Sequence, residues 1–165
     1  MTLILQYVKK MEPKGIIKGI ELDRVFKIGN LEFKRIDDVI IEIGGKDIFF
    51  DAKAWSPDHI RQYLNDSMSG KLIQGELQQD QLFKYILYMN KNKDYKSIRW
   101  AFDSRNTDAA KIRGYIMEAF DKNKDRFGKA LKVNFDSPAG RAMWSRFRTE
   151  LNTGLQSFVE ILPKA

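Results

Sequence analysis

The chain has 165 residues, 43% hydrophobic and 12% aromatic, enough for the buried core of one domain. Its 29 Lys+Arg against 22 Asp+Glu give a formal charge of +7. The lack of cysteine excludes a disulfide scaffold, an iron–sulfur cluster and a cysteine nucleophile, and the single histidine, His59, excludes a multi-histidine metal centre.

In chain order, residues 2–11 predict a short helix ended by the Pro13–Gly15 break. The opening MTLILQYVKK carries its apolar stretch ahead of its lysines and does not read as a secretory signal. No apolar run approaches the roughly 20 residues of a membrane helix. The stretch from Ile16 to Arg35 is ambiguous, although Val25–Ile28 and Leu31–Lys34 around Gly29-Asn30 suit a hairpin. Residues 38–43 (DVIIEI) and 46–55 (KDIFFDAKAW) predict two strands around Gly44-Gly45, the first apolar on both faces as an interior strand is.

Ser56-Pro57-Asp58 predicts a helix start with Ser56 as cap, Pro57 as first helical residue and Ile60, Leu64 and Met68 as its apolar row. Gly70 and Gly75 punctuate, and a longer helix is predicted from about Glu76 to Asn90. Residues 96–104 read as a strand, and 107–123 as a helix with Ile112, Ile116 and Phe120 on one stripe. Ser137-Pro138 predicts a last helix with Ala139, Met143, Phe147 and Leu151 inward, followed by LQSFVEIL as an edge strand or docked extension. The order predicts a mixed α/β domain, a mixed sheet flanked by helices, spanning 1–165 with a basic helical extension over 121–165.

A two-residue Gly44-Gly45 loop pairs 43 with 46 and so sets Asp38 opposite Asp51, Cβ atoms about 5 Å apart. Lys53, two residues on, shares the face of Asp51. Two carboxylates at that spacing repel unless a cation sits between them, which suits a divalent metal with oxygen ligands. Such a centre can generate hydroxide from water and neutralise charge on a phosphodiester. The same acids would also serve as solvated ends of an edge hairpin, with Lys53 pairing one of them. Asp37, Glu42 and Asp47 are nearby acids expected at solvent or turns.

The strand bearing Asp38, the Gly-Gly hairpin and Ile48-Phe49-Phe50-Asp51-Ala52-Lys53 resemble the core motif of the PD-(D/E)xK nuclease superfamily, with Asp37 in place of the proline. Gln81-Leu82-Phe83-Lys84-Tyr85 resembles the QxxxY element of the helix after that hairpin. Four residues apart, Gln81 and Tyr85 share a helical face. The resemblance implies a restriction-endonuclease-like core over about residues 16–120. It makes Asp38, Asp51 and the Ala52 carbonyl metal ligands, and Lys53 the group that orients water or stabilises the phosphate. Gln81 and Tyr85 would then support the site or touch substrate. It further implies an acid from a first helix, for which Glu21 is the candidate and Asp23 the next. Mg²⁺ is the expected ion, with Mn²⁺ or Zn²⁺ as alternatives.

Lys71–Tyr85 followed by Ser97–Phe102 is most similar to nuclease toxin domains of contact-dependent growth inhibition and related polymorphic toxins. The superfamily resemblance implies a DNA substrate, and the similarity to toxin domains adds tRNA as the alternative and an acidic immunity protein as partner. The latter similarity also implies action in the bacterial cytoplasm after delivery from a larger secreted parent. A restriction or repair endonuclease, or a nucleic-acid-binding domain without catalysis, are the competing readings.

Charge is uneven: residues 84–150 hold 16 Lys+Arg and 8 Asp+Glu, whereas 1–83 hold 12 and 13. A one-sided positive field suits a polyanion. Lys84, the run Lys122, Lys124, Arg126, Lys129 and Lys132, and the pair Arg141 and Arg148 are candidate phosphate contacts, or else a solvated surface. Trp55, Trp100 and Trp144 are expected in the core rather than stacking bases, and His59 at the surface. No P-loop, GxGxxG or GxSxG motif is present.

Overall fold

The computed structural model describes residues 16–21, 25–28, 31–34, 38–43, 45–53, 55–70, 72–73, 76–77, 80–103, 105 and 107–162; for 16–41, 43, 52, 72–73 and 76–77 it describes the backbone alone. The helix predicted over 2–11, its Pro13–Gly15 stop and Asp23 lie outside the described residues. The elements are β1 (Ile16–Glu21), β2 (Val25–Ile28), β3 (Leu31–Lys34), β4 (Asp38–Ile43), β5 (Lys46–Lys53) and α1 (Ile60–Ser69). After them come β6 (Leu72–Ile73), β7 (Glu76–Leu77), α2 (Gln81–Asn92), β8 (Ile98–Asp103) and α3 (Ala109–Lys122). The chain closes with α4 (Lys124–Ala130), α5 (Pro138–Phe158) and β9 (Val159–Leu162).

The main sheet has five strands in the order β1-β4-β5-β8-β9. β5, β8 and β9 run parallel to one another, while β4 is antiparallel to both of its neighbours, β1 and β5. β4 is thus interior, as its apolar run DVIIEI requires. β2 and β3 form the predicted hairpin, and β6 and β7 a second, shorter one. Among the described residues no helix is long and apolar enough to cross a membrane.

One face of β8 supplies Ile98, Trp100 and Phe102 to a single buried cluster. Against that row pack Ile60, Leu64 and Met68 of α1, Leu82, Tyr85, Ile86 and Met89 of α2, and Ile112, Ile116 and Phe120 of α3. Phe127 of α4 and Trp144, Phe147, Leu151, Leu155 and Phe158 of α5 complete it, so the basic C-terminal third is built into this core. Aromatic rings do much of the filling: Phe120 stacks on Trp144 at 4.8 Å, and Phe158 tilts over Trp100 at 5.5 Å.

Four expectations need correction. The inward stripe of α5 is Gly140, Trp144, Phe147, Leu151, Leu155 and Phe158, while Met143 and Ala139 are exposed. Burying Trp144 rotates the helix by one position, because a tryptophan outweighs a methionine in apolar area. The tail divides: LQSF ends α5, and VEIL forms the edge strand. The helix expected from Glu76 starts at Gln81, since Leu72↔Leu77 and Ile73↔Glu76 pair as strands and override local helix propensity. Finally, α1 begins at Ile60; Ser56 Oγ meets His59 Nδ1 at 2.6 Å instead of capping a backbone N–H.

At the start of α5 the predicted cap is present, with Gly140 N–H donating to Ser137 Oγ at 3.0 Å. Gly140 has no room for a side chain: a Cβ there would stand 1.8 Å from the Asn134 carbonyl oxygen. Ser137→Ala should therefore cost about 1 kcal/mol, and Gly140→Ala, which must displace backbone, about 2 kcal/mol or more. Urea denaturation orders the two; equal costs would remove the steric argument.

Candidate functional site

The turn after β4 sets everything that follows. Gly45 sits at φ +76, a conformation that favours glycine, and pairing runs in unbroken register from Ile43↔Lys46 to Asp38↔Asp51. On the other side of β4, Glu21 of β1 pairs with Asp38. Positions 21, 38 and 51 therefore form one row across three adjacent strands, each about 4.8 Å from the next. Glu21 was expected from a helix; it lies instead at the end of an edge strand, directly beside Asp38. Ala52 falls on the alternate pleat, opposite Ala101, so its contribution to this row is limited to backbone. Among the residues whose side chains are described, no three His, Asp or Glu groups gather, so the row rests on strand register.

The row continues from Asp51 to Trp100 on β8, where the environment becomes apolar. Asp51 is only 4% exposed and Lys53 only 9%. Charges at that depth persist only when paired. Lys53 Nζ stands 2.7 Å from Asp51 Oδ2 and donates to Gln81 Oε1 at 2.9 Å. Gln81 Nε2 in turn donates to Tyr85 Oη at 3.0 Å. The Lys53 ammonium also lies 4.6 Å from the Trp100 ring centroid and 5.4 Å from that of Trp55, both within cation–π range. Asp51, Lys53, Gln81 and Tyr85 are thus one connected chain of polar contacts with an aromatic wall. Tyr85 itself is a core residue, its ring fully buried and its hydroxyl at the end of that chain.

What holds Gln81 in reach of Lys53 is the start of α2. Asp80 occupies the cap position without capping a backbone N–H. Its carboxylate is gripped by both terminal nitrogens of Arg126. Arg126 Nη1 also donates to the Met68 carbonyl at 2.7 Å, and the guanidinium lies 3.8 Å over the Phe83 ring. Arg126, which the sequence groups with a run of surface cations, is instead a clamp joining α4, α1 and the first turn of α2. Nothing local in the sequence links Arg126 to Asp80; they are 46 residues apart.

The other predicted phosphate contacts are partly engaged within the protein. Arg148 makes a two-pronged pair with Asp121, at 2.9 and 2.8 Å. Arg141 Nη1 donates to the carbonyls of Phe135 and Asp136, each at 3.0 Å. Lys122 shares Glu118 with Arg61, and these cations, Arg61 foremost, hold the Glu118 carboxyl down at about 2. Lys124 lies 4.4 Å over the Phe135 ring. Lys84 is half-buried, one turn beyond Gln81 on α2. Trp100 and Trp144 are in the core as expected, and His59 is exposed, stacked on Tyr63.

Replacing Arg126 with methionine keeps the packing on Phe83 but leaves the Asp80 carboxylate, which is 9% exposed, without its partner. Arg126→Met should cost about 2 kcal/mol, the scale of hydrogen bonds to a charged group. Asp80→Asn/Arg126→Met should recover part of that loss. A double-mutant cycle from urea unfolding with no coupling would show that the clamp does not hold α2.

Comparison of the chain with family models, with curated proteins and with solved structures gives no match in any of the three.

Proposed function

We propose that the chain is a metal-dependent nuclease on a restriction-endonuclease-like core, hydrolysing phosphodiester bonds of nucleic acid with DNA as the favoured substrate. The observation that carries this reading is one juxtaposition. In a row of three acidic positions, 21, 38 and 51, the last is ion-paired with a buried lysine that also donates to the first residue of α2. The donors fit a hard divalent cation, since they are carboxylates and a backbone carbonyl. Mg²⁺ or Mn²⁺ suits them better than Zn²⁺, because the chain has no cysteine and its single histidine is exposed against Ser56. Asp38 and Asp51, with Glu21 and the Ala52 carbonyl, are the residues that would hold the ion. When bound, such an ion lowers the pKa of water and offsets charge on phosphate.

The chain's own residues have separable parts in this mechanism. Asp51 fixes Lys53 from one side and Gln81 from the other, which uses two of the three ammonium donors. The third is suited to an oxygen of the scissile phosphate as negative charge builds on it. Tyr85 holds the Gln81 amide so that its oxygen, not its nitrogen, meets the cation. Trp55 and Trp100 keep water from the ammonium and so raise the strength of its interactions. The biological setting we propose is a bacterial toxin domain. It would be delivered to the cytoplasm from a larger secreted protein and be neutralised by an acidic immunity protein that docks on its basic surface. Cleavage of tRNA by the same centre is the alternative within this class, and a restriction or repair endonuclease the other. A nucleic-acid-binding domain without catalysis is the non-enzyme alternative, consistent with a carboxylate already balanced by Lys53.

Incubation with plasmid DNA and with total tRNA, in Mg²⁺, Mn²⁺ or EDTA, separates these readings. Cleavage should require the cation, and Asp51→Asn or Lys53→Gln, each of which keeps a polar side chain of similar size, should lower it at least about 100-fold without loss of the cooperative thermal transition. The asparagine is chosen because alanine at 51 would leave Lys53 buried beside a void. No cleavage with any ion, or wild-type cleavage by both variants, would sink the nuclease reading.

Expression of the wild-type chain alone should arrest bacterial growth, and Asp51→Asn should not. Unimpaired growth with the wild-type chain removes the toxin setting and leaves the nuclease assignment to the cleavage assay.

A further inference from the structure

Lys53 ends β5; at the strand's other end, about 23 Å away at 3.3 Å per residue, Lys46 lines a cleft. This cleft has a volume of about 990 Å³, in the range of small-molecule sites. The first residues of β5 and β8 and the loop before β8 form one side, and the outer face of α5 around Thr153 forms the other.

Its chemistry is one-sided. Two acids line the cleft, and both are occupied. Asp94 accepts from the Ser97 hydroxyl and from the backbone N–H groups of Lys96 and Ser97, and Glu150 is paired with Lys93. Three further cations line it: Lys46 and Lys96 are exposed, and Arg99, whose guanidinium lies 5.5 Å from the Phe50 ring centroid, has a long 3.9 Å ion pair with Glu160. Tyr95 and Arg99 both line the cleft, and Tyr95 Oη and Arg99 Nε are buried with no hydrogen-bond partner among the described residues. The Tyr95 ring lies against Gly154, where a Cβ would stand 2.2 Å from it, so α5 is cut away at that point to admit the ring. Burial first, and Glu150 second, push the Tyr95 hydroxyl up to about 12.

Cations and donors in excess of acceptors are the complement of an anion with several oxygens. We infer that this cleft binds phosphate groups, carried either by a nucleic-acid backbone or by a free phosphorylated small molecule, at a site separate from Asp51 and Lys53. The inference goes beyond the nuclease reading and does not need it.

Two probes on the full chain in EDTA test it: a labelled 12-nucleotide single strand followed by fluorescence anisotropy, and inorganic pyrophosphate followed by calorimetry. Lys46→Glu/Lys96→Glu changes two exposed side chains and should weaken the probe that binds by about tenfold or more. For the single-stranded oligonucleotide, the log–log salt slope should fall by about 1.4, roughly 0.7 for each lost phosphate contact. Thr153→Trp, which fills the cleft without changing charge, should weaken the same probe, and Asp51→Asn should bind it as the wild type does. Pyrophosphate binding assigns the site to free phosphorylated ligands, and binding of the strand alone assigns it to backbone phosphates. The proposal is overturned if neither probe binds. It is equally overturned if Thr153→Trp binds as the wild type does, or if Asp51→Asn abolishes binding while the lysine variant retains it.

Discussion

A lysine ammonium under two tryptophan rings has to be neutralised and hydrogen-bonded where it stands, and much of the architecture follows from that demand. Asp51 supplies the charge from two residues back on the same strand, and Gln81 supplies an oxygen from the first turn of α2. For Gln81 to arrive there, α2 must start at one residue and no other, and its first turn must not drift. The Arg126 clamp on Asp80 provides that fixity from α4. The basic C-terminal third is therefore mechanically part of the candidate centre, although none of its residues stands in the acidic row.

The parts of the centre that the sequence made legible are those governed by local geometry. A Gly-Gly pair between two β-branched runs admits one register, and that register sets 38 against 51. Four-residue spacing on a helix sets Gln81 beside Tyr85. What was not legible depends on partners far along the chain. Glu21 reaches Asp38 only because β1 pairs with β4, and Arg126 reaches Asp80 across 46 residues. The phase of α5 was misjudged by one position because Met143 and Trp144 both continue an apolar stripe. The rings of Phe120 and Phe135, packed on Trp144, decide between them. In β7, helix-forming residues yield to a cross-strand pair that propensity does not see.

Net charge proves a coarse guide to electrostatics in this protein. The +8 of residues 84–150 suggests a continuous positive face, yet several of its cations are already shared with Asp80, Glu118, Asp121 and Glu150. The exposed pairs among these, on Glu118, Asp121 and Glu150, contribute little to stability, but they localise charge and shorten the reach of the field. Sites are marked instead where cations and donors lack such partners, and geometry locates these better than composition does.

The passage from α5 into β9 has no intervening loop: Phe158 is the last helical residue, Val159 the first of the strand, and Val159 N–H still bonds back to Leu155. β9 in turn is the outer neighbour of β8, and its pairing partners lie 59 residues earlier at every rung, from Trp100↔Val159 to Asp103↔Leu162. During synthesis, β8 therefore emerges long before the strand that covers its edge. Until residue 162 has left the ribosome, the nascent chain presents an open, aromatic-rich parallel edge. Covering of the β8 edge is thus a late event, coupled to the helix that runs directly into β9.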